Sequence, residues 1–245
     1  MSSGQIALPF RRPGGEAPLL ILGLDTSTSC GSIALVDSEK PLGEWNLNVQ
    51  RTHAGRLLPG IQHLLDETGI EIGKIDGFAV AVGPGSFTGL RIALTTAKTL
   101  SLVTGKPLAG IPTLDVLVEN VPFTKGLICP ALDARKGEIF AALYEKGPRG
   151  RTDRLTEYLS VPPETLLEMI QGPALMLGDA VPVYGERLGK ECTHPITFAP
   201  PEYHFPRASI LCRLAIKKLS EGDHQHPREL RALYARASDA ELNLK

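Results

Sequence analysis

Gly83-Pro84-Gly85-Ser86-Phe87-Thr88-Gly89-Leu90-Arg91 is the stretch on which the fold turns. Upstream of it, the apolar run Phe78-Ala79-Val80-Ala81-Val82 predicts a buried strand, and downstream Ile92 to Val103 predicts a helix. A strand, a glycine-rich turn and a helix start are the parts of an anion-binding loop. Gly83 and Gly85 can take positive φ and let a ligand or another backbone come close. Pro84 fixes the turn between them. Ser86 is placed to cap the helix by accepting a bond from an orphan backbone N–H. The stretch has neither the Gly-Lys-Ser/Thr of a Walker A loop nor the GxGxxG of a dinucleotide site. Two readings therefore stand: an anion-binding loop, or a tight strand-to-helix connection with no ligand.

The 245 residues suffice for two lobes or one large domain, and 42% hydrophobic residues supply a sizeable core. A net charge of −1 gives the chain as a whole no broad cationic surface for nucleic acid. If RNA is involved, a partner is expected to supply much of the contact. Cys30, Cys129, Cys192 and Cys212 are scattered and form no CxxC pair, which fits a reducing compartment and argues against a zinc–cysteine site. No apolar run approaches the roughly 20 residues of a membrane span, and the N-terminus lacks a signal-peptide pattern. The expectation is a cytoplasmic protein. Residues 1–17, with Arg11 and Arg12 among prolines and glycines, read as a flexible extension.

Further along, Leu19 to Asp25, Ser32 to Val36 and Pro41 to Val49 predict three strands with short turns, an antiparallel meander. Asp25 ends the first beside Thr26-Ser27-Thr28-Ser29. There it can hold a metal-bound phosphate, or bond its own turn's amides. Leu57, Leu58, Ile61, Leu64 and Leu65 recur at helical spacing, with Pro59 tolerable only near the helix start. Thr113 to Val121 predicts a helix, Gly126 to Leu132 a strand ending at Asp133, and Ile139 to Tyr144 the returning strand of a hairpin. Asp133, Arg135 and Glu138 cluster at its tip, facing either a cleft or solvent. Residues 147–161 read as polar and irregular. Pro162 to Gln171, Val181 to Lys190 and Arg207 to Glu221 predict helices, with strands at Ala174 to Leu177 and Pro195 to Ala199.

Leu22-Gly23-Leu24-Asp25-Thr26-Ser27-Thr28, Arg51-Thr52-His53, the Gly83–Arg91 block, Leu132-Asp133-Ala134-Arg135-Lys136-Gly137-Glu138 and Leu233-Tyr234-Ala235-Arg236 together resemble the TsaB (YeaZ) family. The resemblance covers about residues 19 to 238. It implies an α/β, actin-like and sugar-kinase-like ATPase (ASKHA) fold with two lobes, each a mixed sheet flanked by helices. The lobes are expected at 18–106 and 107–245, with the last helix free to return to the first lobe. The implied role is in threonylcarbamoyladenosine synthesis beside the tRNA anticodon. In that family TsaB is not the transferase. It binds and supports TsaD as a heterodimer, the ATPase TsaE joins them, TsaC supplies the adenylate donor, and tRNA is met indirectly through the complex.

The residues bear on that implication. TsaD-like subunits hold a metal with two histidines four apart, and no two of the six histidines here have that spacing. The Asp-x-Gly of phosphate-binding relatives reads Asp25-Thr26-Ser27, which leaves backbone less free to approach a phosphate. No metal or cofactor is assigned, though ATP or ADP at the complex stays open. Candidate nucleotide contacts are Asp25, Thr26, Ser27, Gly83, Gly85, Ser86 and Asp133. The alternative is an independent phosphotransferase or ATPase using Asp25 and the Gly83–Gly89 loop. Gly89, Ala93, Ala97 and Ser101 form a ridge of small residues at four-residue spacing, beside Leu57, Ile61, Leu64 and Leu65 of the preceding helix. The ridge packs either on the chain's own sheet and first helix or, as the resemblance implies, against the equivalent helix pair of TsaD. Whether free chains pair with themselves is open.

Overall fold

The computed structural model describes residues 19–38, 40–49, 53–147 and 150–235. The extension 1–17, Arg51, Thr52 and Arg236 lie outside them. The predicted meander forms as β1 (Ile21–Asp25), β2 (Cys30–Val36) and β3 (Pro41–Asn48). β4 (Gly77–Gly83) and β5 (Leu108–Pro112) add to it in parallel, giving the order β3-β2-β1-β4-β5. β1 and β4 are buried along their whole length, as their unbroken apolar runs require. Helices α1 (Leu57–Thr68) and α2 (Phe87–Thr104) cover one face of this sheet. The helix α6 (Ala208–Ser220), from the far end of the chain, covers the other.

The second sheet repeats the first. β6 (Leu127–Arg135) pairs antiparallel with β7 (Glu138–Ala141), and β7 with β10 (Leu159–Val161). β11 (Ala174–Leu177) and β12 (Ile196–Phe198) then add in parallel, in the order β10-β7-β6-β11-β12. A short hairpin, β8 (Tyr144–Lys146) with β9 (Thr152–Arg154), hangs from β6. Between the sheets runs α3 (Thr113–Val118), and α4 (Pro163–Met169) and α5 (Val181–Glu191) make the second lobe's crossovers. Two copies of one mixed-sheet topology, each flanked by helices, are the actin-like fold expected from the resemblance.

Two local expectations need correction. The stretch 147–161, expected to be irregular, holds β9 and β10, both short and partly exposed. The helix after the glycine loop starts at Phe87, behind the expected cap, where Ser86 Oγ accepts from Gly89 N at 3.2 Å. The first lobe's sheet also continues past residue 106, since β5 hydrogen-bonds to β4, and α6 packs on that same sheet. Pro59 falls in the first turn of α1, where it is tolerated.

Candidate functional site: the interlobe cleft and the outer face of α1 and α2

The sheet duplication brings equivalent turns face to face. The β1–β2 turn, the loop from Pro84 to Thr88, the β6–β7 turn and the segment Leu233–Ala235 line a cleft of about 580 Å³ between the lobes. Asp25 and Asp133, near the ends of the two equivalent strands, do the same local work. Asp25 Oδ1 accepts from Ser27 N at 2.8 Å, and Asp133 Oδ1 accepts from Arg135 N at 2.9 Å. Each carboxylate thus closes its own turn.

Asp25 is 1% exposed and lies beneath the cleft rather than in its lining. Burial pushes its pKa up to about 6 against the opposing hydrogen bonds from the Ser27 hydroxyl and amide, and its Oδ2 has no hydrogen-bond partner among the described residues. Thr26 is equally buried, its hydroxyl donating to Gly89 O at 2.7 Å.

The glycines of the loop receive the chain's own backbone. At Gly83, where φ is +110°, a Cβ would lie 2.5 Å from the carbonyl oxygen of Leu233. At Gly85 it would lie inside the van der Waals envelope of the Ser27 carbonyl oxygen and 3.0 Å from Ser27 Cβ. Ser86 N donates to that same Ser27 oxygen at 2.7 Å, and Leu233 N donates to Val82 O at 2.7 Å. The close approach that glycine permits is therefore taken up by the β1–β2 turn and the C-terminal segment.

Of the seven nucleotide candidates, Ser27, Gly85, Ser86 and Asp133 line the cleft, while Asp25, Thr26 and Gly83 do not. Asp133 pairs with Arg135 at 3.0 Å, and Glu138, across the turn from Arg135, accepts from Ser160 Oγ at 2.7 Å. Asp179, not singled out from sequence, joins the cleft. Its Oδ1 accepts from Asp133 N at 2.9 Å, and burial, reinforced by the Asp133 charge, raises its pKa to about 6. The signal for it was the Gly178-Asp179 pair closing an apolar strand. His53 borders the cleft as a packing residue, its Nε2 2.8 Å from Thr28 O. No group of three or more His, Cys, Asp or Glu able to hold a metal ion occurs among the described residues.

Burial moves seven of the eight interface candidates off the surface. Ile61, Leu64, Leu65, Ala93 and Ala97 belong to the core between α1, α2 and the first sheet, and Gly89 and Ser101 are buried with them, whereas Leu57 packs in that core and also borders the outer groove between α1 and α2. The small-residue ridge faces inward because it lets α2 lie close on the sheet. What α1 and α2 present outward is a groove of about 490 Å³ bordered by Leu58, Phe87, Arg91, Ile92, Thr95 and Thr96. Leu58 is 58% exposed, and further along α2 Leu102 and Val103 are 51% and 80% exposed. This outer face is a candidate protein-docking surface.

The duplicated sheets and the cleft between them define an actin-like protein whose loop glycines serve its own packing. Residues 47–242 match the family described as TsaD: tRNA N6-adenosine threonylcarbamoyltransferase. The tRNA threonylcarbamoyladenosine biosynthesis protein TsaB of Bacillus subtilis (strain 168) is 29% identical over 84% of this chain and 91% of its own length. The TsaB of Escherichia coli (strain K12) is 29% identical over 86% and 94%. The structure of YeaZ from Pseudomonas aeruginosa superposes with a TM-score of 0.75 at 26% identity, over 88% of this chain and 99% of that one. The chain belongs to this family, in its TsaB (YeaZ) branch, which acts in tRNA threonylcarbamoyladenosine biosynthesis.

Proposed function

We propose that this chain is a non-catalytic scaffold subunit that binds and supports TsaD, the transferase, while threonylcarbamoyladenosine is formed. The observation that carries this reading is the packing of the glycine loop. Gly83 and Gly85 are occupied by Leu233 and Ser27 backbone, and Asp25 is buried and tied to Ser27. The rival reading, a phosphotransferase or ATPase, needs that backbone and that carboxylate open to a phosphate and its metal. Neither is presented that way.

The docking surface in this reading is the outer face of α1 and α2, around Leu58 and Ile92, rather than the ridge beneath it. Two helices offering exposed aliphatic side chains suit a helix pair of a related fold, and a stable interface of this kind buries upwards of roughly 1,000 Å². In this reading TsaE joins the pair and the complex works in the cytoplasm; no helix among the described residues is long and apolar enough to cross a membrane. Co-purification tests this directly. Tagged chain is expected to retain the cognate TsaD. Leu58→Glu, at an exposed position, is expected to melt as wild type does and retain at least tenfold less. Normal TsaD retention by Leu58→Glu, Ile92→Glu and Thr95→Arg together would place the interface elsewhere.

A further inference from the structure

A second surface is marked by charges that the fold gathers without balancing. The segment after α6 returns along α2. The Leu230 side chain is buried in the first lobe's core, and its carbonyl oxygen accepts from Lys98 Nζ at 2.6 Å and from Arg231 Nη1 at 3.3 Å. Two cations thus converge on one acceptor, and the Arg231 guanidinium adds to burial in holding the Lys98 ammonium below its ordinary pKa. Arg231 also donates to the carbonyl of Arg228, whose own side chain is exposed.

None of these three forms an ion pair with a described carboxylate. Three basic residues before the segment do pair: Arg207 with Glu44, Arg213 with Glu119 and Lys218 with Asp223. Between residues 224 and 235 the single acid, Glu229, is exposed. Like charges held together this way repel, a cost that a bound polyanion would remove.

The strip continues toward the cleft. About three helical turns before Lys98, roughly 16 Å along the axis, Phe87 carries the Arg91 guanidinium 3.7 Å over its ring and stacks on Tyr234 with centroids 5.3 Å apart. Tyr234 is 44% exposed. Cations spaced along a seam, with an exposed aromatic face at one end, are the elements with which proteins track a nucleic-acid backbone and stack on a base.

We infer that the seam between α2 and the returning segment, from Arg228, Arg231 and Lys98 toward Tyr234, is a direct contact site for the phosphate backbone of RNA. This adds to the scaffold reading a contact with the RNA itself, and it is measured on this chain alone, so it stands or falls separately from TsaD binding. The full chain is titrated against a labelled, unmodified tRNA transcript over a salt series from 50 to 200 mM. Binding is expected to be weak and salt-steep, with log K falling by about 2 to 3 per decade of salt for three or four neutralised phosphates.

Arg228→Glu/Arg231→Glu should weaken binding at least tenfold at 50 mM salt and lower that slope by about 2. Tyr234→Ala should weaken it several-fold with the slope unchanged. The control Lys74→Glu/Lys125→Glu makes the same change in net charge at exposed positions outside the seam, and should alter binding less than threefold. Thermal melts confirm that each variant is folded. Equal weakening by the two charge-reversed pairs, or no binding by wild type at 50 mM salt, overturns the inference. So does a seam variant that loses TsaD and keeps its RNA affinity, which would make the strip an acidic-protein contact.

Discussion

Gly85→Ala isolates what the glycine loop is for. The added methyl would fall 3.0 Å from Ser27 Cβ and against the Ser27 carbonyl oxygen, so the β1–β2 turn and the loop must separate. Overpacking of this kind costs about 1–3 kcal/mol. The 2.7 Å bond from Ser86 N to that oxygen is strained or lost, which adds about 0.5–1.5 kcal/mol. A total of about 2–4 kcal/mol corresponds, for a chain of this size, to a fall in Tm of about 5–15 °C. Gly73→Ala is the comparison. No atom lies within 4 Å of its Cβ and its backbone is not left-handed, so it should hold or slightly raise the Tm. Circular dichroism melts of the three proteins read the difference, and nucleotide titration by calorimetry runs beside them. If Gly85→Ala melts with wild type and instead changes ATP or ADP affinity, the loop faces a ligand and the packing explanation is wrong.

Ala97→Arg puts a charge into a site with 0% exposure in the first lobe's core. At several kcal/mol, a large part of a typical domain stability of about 5–15 kcal/mol, it should yield an unfolded or insoluble chain, whereas Thr95→Arg on the exposed face should stay folded. Asp25 and Asp179 are carboxylates whose pKa rises on folding to about 6 from an ordinary value near 4. The folded state therefore holds more protons, so stability should fall as pH rises from about 4 to 6 and level off above. The change is on the order of 2 kcal/mol per group, and Asp25→Asn should remove its share of the slope in denaturant melts across that range.

The sheets were legible from sequence because their central strands are unbroken apolar runs ended by Asp or Gly, and the α2 cap because Ser86 stands at the loop's exit. The side on which α2 buries its ridge was not. Four-residue spacing shows that Gly89, Ala93, Ala97 and Ser101 share a face, but only the assembled sheet decides which way it points. β9, with Thr152-Asp153-Arg154, carries no apolar signal and exists through its pairing with β8. The occupation of Gly83 by Leu233 depends on a contact between residues 150 positions apart, so the choice between ligand loop and packed turn stayed open until the chain was seen folded. The roles of Asp25 and Asp133 lay between these cases. An Asx-type turn was readable at Asp25, and only the duplicated sheet shows Asp133 repeating it.

Reconstituted tRNA threonylcarbamoylation tests the scaffold reading most directly. Purified chain, cognate TsaD, TsaE, the threonylcarbamoyl-adenylate donor and unmodified tRNA are combined with single components left out, and modified nucleoside is counted by mass spectrometry. The expected result is no product from the chain without TsaD, product from the full set, and the same product when Asp25→Asn replaces wild type. Turnover by the chain without TsaD, lost in Asp25→Asn, would contradict it.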